Sequence, residues 1–131
     1  MTLEVVTPEK TQCQEAITYI KVPTKEGSVG ILYNHAPLVT LVDIGQLKYT
    51  RTDGKEVTLV VTEGVLELHD NKITLLVNAA ETPEDIDRGR AEKARERAKK
   101  RLDQKSRDVD FARAEASLKR AMMRLKTVNK V

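Results

Sequence analysis

Near residue 80 the periodicity of this chain changes, and that change limits the fold to two unlike parts. Before it, apolar residues alternate with period two, as in strands with one buried face. After it they recur at spacings of three and four, as along one face of a helix. The junction, Glu81-Thr82-Pro83-Glu84-Asp85-Ile86-Asp87-Arg88-Gly89-Arg90-Ala91, carries a helix-start signal. Thr82 can cap, Pro83 suits the first helical position, and Glu84 and Asp85 complement the positive end of the helix dipole. The split predicts one domain over residues 1–82 and a second over 83–131.

In the first part, Thr2–Pro8 alternates with Leu3 and Val5 on one side. Gln14–Val22 is a second strand, after which Pro23 ends ladder donation. Gly30–Leu32, Leu38–Ile44, Gln46–Arg51, Glu56–Thr62, Val65–Leu68 and Lys72–Val77 follow. Lys25–Ser28 and Asp70-Asn71 read as turns, and Tyr33–Pro37 as a loop closed by its proline. Asp53-Gly54 predicts a type I′ hairpin. Many short strands with turns about every 8–12 residues indicate a sandwich or small barrel. Aromatic residues are 3% of the chain and Trp is absent, so the core must be aliphatic.

In the second part, Ala91, Ala94, Ala98 and Leu102 make one stripe, and Phe111, Ala114, Leu118, Met122 and Leu125 make another. Capping residues in Ser106–Asp110 separate them. Both stripes are narrow, so the two helices should pair as a hairpin yet be only marginally stable alone. Such an element can detach without unfolding the rest.

Charge follows the same division. Residues 1–85 carry seven Lys/Arg and thirteen Asp/Glu, a net −6; residues 86–131 carry sixteen and seven, a net +9. A basic tail on an acidic body suggests self-docking or an acidic partner. Arg90 and Arg97 share a helix face, and so do Arg113, Arg120 and Arg124. The first face lies roughly a quarter-turn from its apolar stripe and the second about 140° from it. Guanidinium groups converging from two helices make a bidentate clamp for polyphosphate. By spacing alone the ordinary reading is a solvated basic face, just as Asp87 and Arg90, three apart, ordinarily form a surface ion pair.

Other chemistries lack their residues. There is no P-loop pattern. His35 and His69 have no partners at metal-ligand spacing, and Cys13 stands alone. No nucleophile sits in an elbow or box. The basic region lacks the aromatics on which single strands stack. No long apolar run and no signal-peptide pattern are visible, so the expectation is a soluble intracellular chain.

Several motifs, in order, extend over essentially the whole chain. They are Gly30-Ile31-Leu32 with His35-Ala36-Pro37-Leu38, Asp53-Gly54, Gly64-Val65-Leu66-Glu67, Ala80-Glu81, Asp85-Ile86-Asp87-x-x-Arg90-Ala91, and Arg113-Ala114-Glu115 with Leu118-Lys119-Arg120-Ala121. In these the chain resembles the epsilon subunit of bacterial F-type ATP synthases. Two departures are Thr62-Glu63-Gly64, where the family usually has two glycines, and Gly89, a weak helix former inside the motif.

The resemblance implies a ten-stranded N-terminal β-sandwich followed by a two-helix antiparallel hairpin. It implies a non-catalytic place in the rotor stalk of a proton- or sodium-translocating synthase, peripheral on the cytoplasmic face of a bacterial membrane. The partners implied are the gamma subunit, the ring of membrane c subunits, and the alpha/beta hexamer when the hairpin extends to block hydrolysis. His35, Ala36, Pro37 and Leu38 are then the partner contact. ATP, with or without magnesium, is implied as a regulatory ligand, held by Glu81, Ile86, Asp87, Arg90, Ala91, Arg97, Arg120 and Arg124. The alternative reading is a basic-tailed interaction module that binds nucleic acid or an acidic protein.

Overall fold

A computed structural model describes residues 1–104 and 110–129. The chain forms two compact units, Met1–Thr82 and Pro83–Val131.

The first unit is built from nine strands: β1 (Thr2–Val6), β2 (Thr11–Thr24), β3 (Gly27–Leu32), β4 (Leu38–Val42), β5 (Gly45–Arg51), β6 (Glu56–Val61), β7 (Gly64–His69), β8 (Lys72–Val77) and β9 (Ala80–Glu81). β2 is 14 residues long and changes partners along its length. Its first half, from Thr11 to Ala16, pairs with β1. Its second half pairs with β5 on one side and β3 on the other. One layer therefore runs β4–β7–β8–β1 and the start of β2; the other runs β3, the end of β2, β5, β6 and β9. Counted once per layer, β2 makes the tenth strand of a ten-stranded sandwich.

Between the layers lies the aliphatic core that the composition demands. Leu3, Val5, Ile20, Val22, Ile31, Val42, Leu47, Val61, Leu66, Ile73 and Leu75 are fully buried, and all but Val61, whose neighbours Val60 and Thr62 are buried too, alternate with less buried neighbours. One polar cluster sits at its edge, where β2 passes between layers. Arg51 grips the Glu15 carboxylate with two hydrogen-bonding nitrogens, Nη2 at 2.9 Å and Nε at 3.1 Å. That bond holds the Glu15 carboxyl below its usual range. Burial pushes the Tyr49 hydroxyl up, with the Glu15 hydrogen bond adding to the effect. Burial likewise raises the Cys13 thiol, leaving it a poor nucleophile.

Two local expectations change. β2 continues through Pro23, opposite Ser28 of β3, with the Pro23 carbonyl accepting from Asp43 N–H at 3.0 Å. The strand is accommodated by Gly45, where a Cβ would stand 2.8 Å from the proline ring. The Asp53-Gly54 turn is not type I′, since only Gly54 takes positive φ, at 86°. Gly54 N–H donates to Arg51 O and Arg51 N–H to Lys55 O, so the loop is a three-residue connection with a left-handed glycine. Asp70 and Asn71, by contrast, both take left-handed φ, at 48° and 61°, and form the tight turn between β7 and β8.

The second unit opens with a 3-10 turn at Pro83–Asp85, followed by α1 (Arg88–Asp103) and α2 (Phe111–Asn129). The two helices pack on each other as an antiparallel hairpin. The predicted start at Thr82 and Pro83 moves to Asp87. Its carboxylate accepts from Arg90 N–H at 3.1 Å, while Pro83 only begins the preceding turn. Asp110 caps α2 in the same way, accepting from Arg113 N–H at 3.0 Å. The other residues of the predicted Ser106–Asp110 interruption lie outside the described residues. The seam is narrower than the sequence stripes. Ala91 and Ala98 are buried on α1, and Ala114, Ala121 and Leu125 on α2, while Phe111 and Met122 are exposed. Ala121 replaces Met122 because residues 114, 121 and 125 lie within about 20° on the helix, whereas 122 is about 80° away.

Two predictions follow from the sandwich. A Cβ at Gly64 would collide with the Leu76 carbonyl oxygen and lie 2.7 Å from Val77 Cα, both backbone. Gly64→Ala should cost about 1–3 kcal/mol in denaturant melts, the range for overpacking. The Glu15 carboxyl is lowered in the fold, so its stabilisation is complete above the ordinary glutamate value of 4.5 and disappears as pH falls through the folded value. Glu15→Gln should therefore lower the melting temperature at pH 7, and its difference from wild type should shrink below pH 4.5.

Candidate functional site

Two places collect the residues singled out in the sequence, one in each unit. In the sandwich, Tyr33–Pro37 joins β3 of one layer to β4 of the other. Residues 33–37 are all exposed, with Tyr33 at 67%, and Leu38 is half-buried where β4 begins. The loop owes its shape to hydrogen bonds. His35 N–H donates to Leu32 O at 3.2 Å, and the His35 ring Nδ1 lies 2.7 Å from Ala36 O. Asn34, in the left-handed region at φ 63°, is tied to the β7–β8 turn. Its N–H donates to Asn71 Oδ1 at 2.6 Å, and Asn71 Nδ2 donates back to Asn34 Oδ1 at 3.2 Å.

The strand that leaves this loop opens an apolar surface that sequence reasoning missed. On the outer face of the first layer, Leu41 stands opposite Val65, Val65 opposite Leu76, and Leu76 opposite Val6. Val39, Leu41 and Leu76 are 71%, 57% and 50% exposed. An uninterrupted row of this kind is not what a solvated sheet face carries. The signal was present as apolar residues at the outward positions of Leu38-Val39-Thr40-Leu41-Val42, but one-residue alternation had been read only for its inward face.

In the second unit the residues expected to hold a nucleotide take three different roles. Ile86 and Ala91 are buried, 8% and 4% exposed, so they pack before they can bound a ligand. By spacing Asp87 and Arg90 read as a surface ion pair; Asp87 Oδ1 instead takes the Arg90 backbone N–H as the helix cap. Arg90 and Arg97 are exposed on α1, and Arg120 and Arg124 half-exposed on α2. Arg120 Nη2 donates to Ser117 Oγ at 3.1 Å, which steadies its guanidinium along the helix. Glu81 belongs to the first unit, as the last residue of β9.

The shift of the seam to Ala121 changes the arginine geometry. Measured from Ala114, Ala121 and Leu125, the face of Arg120 and Arg124 lies about 100° round the helix, not 140°. Arg90 and Arg97 lie about 100° from Ala91 and Ala98, in the same rotational sense. For two antiparallel helices, equal rotations of the same sense point to the same flank of the pair. The opposite flank of α1 is more nearly neutralised: Arg88 pairs with Glu92 at 3.4 Å and Arg95 lies 3.7 Å from Glu96. One flank of the hairpin is thus a strip of guanidinium groups from both helices, suited to a polyphosphate anion.

Among the described residues no group of three or more His, Cys, Asp or Glu side chains is placed to hold a metal. Among them, too, no helix is long and apolar enough to cross a membrane.

Comparison with known proteins bears on both units. The beta-sandwich domain of the ATP synthase Delta/Epsilon chain matches residues 1–83, and the long alpha-helix domain of the same chain matches residues 84–129. The chain is 47% identical over 104 residues to the ATP synthase epsilon chain of Pelotomaculum thermopropionicum, covering 79% of this chain and 77% of that one. It is 48% identical over 100 residues to the epsilon chain of Carboxydothermus hydrogenoformans, covering 76% and 74%. In fold it is similar to a chain of the Euglena gracilis mitochondrial ATP synthase, with TM-score 0.82 and 22% identity over 98% of this chain and 78% of that one. A chain from the central stalk and c-ring of the Tetrahymena thermophila enzyme gives TM-score 0.62 and 18% identity, covering 98% and 96%. On matches that span both units, the chain belongs to the ATP synthase delta/epsilon family, among the epsilon chains.

Proposed function

We propose that this chain is a non-catalytic subunit of the rotor stalk of a bacterial F-type ATP synthase, and that its hairpin is an ATP-responsive brake on hydrolysis. The sandwich is the part held by the rotor. The exposed loop Tyr33–Leu38 meets the membrane c-subunit ring, and the apolar row through Leu41 and Leu76 gives the gamma subunit a surface to cover. The epsilon chains among its relatives, and the stalk and ring assemblies that contain its structural neighbours, support this reading. The enzyme it serves translocates protons or sodium ions, and the subunit is peripheral to the membrane on the cytoplasmic side.

The observation that carries the brake is the common arginine flank. Arg90 and Arg97 can share one triphosphate with Arg120 and Arg124 only while the two helices are paired. Asp87 keeps one carboxylate oxygen free of the cap, and Ile86 and Ala91 form the apolar floor at the end where the adenine would rest. ATP, alone or with magnesium, binds the paired hairpin and not the extended one. It shifts the equilibrium by its differential affinity. High ATP then holds the hairpin closed and permits hydrolysis. Low ATP releases the helices toward the alpha/beta hexamer.

Calorimetry of the isolated chain with ATP tests the site. Arg120→Ala should lose about 1.5–3 kcal/mol of binding, the range for a charge-assisted hydrogen bond. Fluorescence transfer between a label on β6 and one near the end of α2 should change with ATP; bound ATP with no change would remove the switch and leave the stalk assignment intact. Hairpin stability should move in opposite directions with two neighbouring substitutions. Asp87→Ala loses the cap and about 1 kcal/mol. Gly89→Ala, whose new methyl meets only Asp87 Oδ1 at 3.4 Å, should gain about 0.4–1 kcal/mol. If the brake reading holds, the glycine variant should also need less ATP to stay uninhibited.

A further inference from the structure

We infer that Asn71, on a turn remote in sequence from the proposed ring-contact loop, is the positioning residue that holds that loop in its binding shape. The inference rests on the reading of Tyr33–Leu38 as a contact and adds to it the element that makes the contact rigid.

Residues 33–37 have no buried side chain to anchor them, and the loop spans from one layer of the sandwich to the other. Asn34 holds a left-handed backbone at φ 63°, which costs a residue with a side chain free energy unless the surroundings fix it. The fixing comes from 37 residues away. Asn34 N–H and Asn71 Oδ1 are 2.6 Å apart, and the return bond from Asn71 Nδ2 to Asn34 Oδ1 is 3.2 Å. Asn71 is itself well founded. Its carbonyl accepts from Thr2 N–H at 3.0 Å at the start of β1, and it occupies the second left-handed position of a tight turn, at φ 61°. A reciprocal amide pair of this kind ties the loop to the β7–β8 turn of the first layer. Pre-ordering an exposed loop removes an entropy cost that binding would otherwise meet. The pair is more than a turn requirement, because glycine would satisfy the backbone of either residue.

The test uses the full chain and a purified complex of the gamma subunit with the c-subunit ring. Asn71→Gly keeps the turn and deletes the clasp. It should leave the melting temperature nearly unchanged, speed hydrogen exchange at the Asn34 amide, and weaken assembly roughly three- to tenfold. Asn34→Gly should weaken assembly by a similar factor, and the double variant should be no weaker than either alone. Asn71→Asp, which retains the acceptor for Asn34 N–H, should recover most of the loss. Wild-type assembly by Asn71→Gly, with the Asn34 amide deprotected, would overturn the inference. In that event His35→Ala and Leu38→Ala separate the two ideas. If they weaken assembly, only the positioning role has failed; if they too assemble normally, the loop is not the contact.

Discussion

One strand that serves two layers governs the sandwich. β2 leaves β1 at Ala16 and is paired with β5 from Ile17, with a register shift before Tyr19. Because side chains alternate with period two, a slip at that crossing would turn Ile20 and Val22 out of the core. The crossing is held by the Arg51 fork on Glu15 and by Tyr49, whose ring is 2% exposed while its hydroxyl reaches Glu15 and Cys13. A bidentate arginine–carboxylate pair is directional as well as attractive. It reinforces the register that the burial of Ile20 and Val22 already favours.

The core and most of the strands were legible because both rest on short-range pattern. Leu3 with Val5, and Ile20 with Val22, advertise their inward faces by alternation, and the structure buries all four. Legibility failed where a long-range partner decided the outcome. Pro23 stops a strand only if its missing N–H is needed; here β2 continues opposite Ser28 of β3, and the Pro23 carbonyl accepts from Asp43 N–H. β9 is a two-residue strand that exists only because β6 offers it an edge. At the helical junction, Thr82 and Asp87 are both competent caps, and local sequence cannot rank them. The buried Ile86 lies between a 3-10 turn and α1, so the helix starts after it and Asp87 inherits the cap.

The candidate nucleotide residues were legible as residue types but not as roles. Spacing put the arginines on two faces without fixing the angle between face and seam. That angle depends on whether Met122 or Ala121 meets α1, a choice between a long side chain and a methyl. The methyl wins because Ala91 and Ala98 on the facing helix are small as well, and small residues on both sides let the backbones approach closely. The choice also turns the two arginine faces toward the same flank of the hairpin.

The same choice sets how easily the hairpin could open. Four alanines form most of its seam, and a buried methyl contributes only about 0.8 kcal/mol. With Leu125 as the one large buried side chain on α2, the seam holds a few kcal/mol. Driving a two-state equilibrium from one extreme to the other takes a ligand discrimination of about 5.5 kcal/mol. Two charge-assisted contacts at about 1.5–3 kcal/mol each are of that size. A leucine-packed seam would lie beyond the reach of such a ligand, and a seam without packing would leave no closed state for it to choose. In the proposed brake, an alanine seam keeps the hairpin in the range where such a ligand would decide its state.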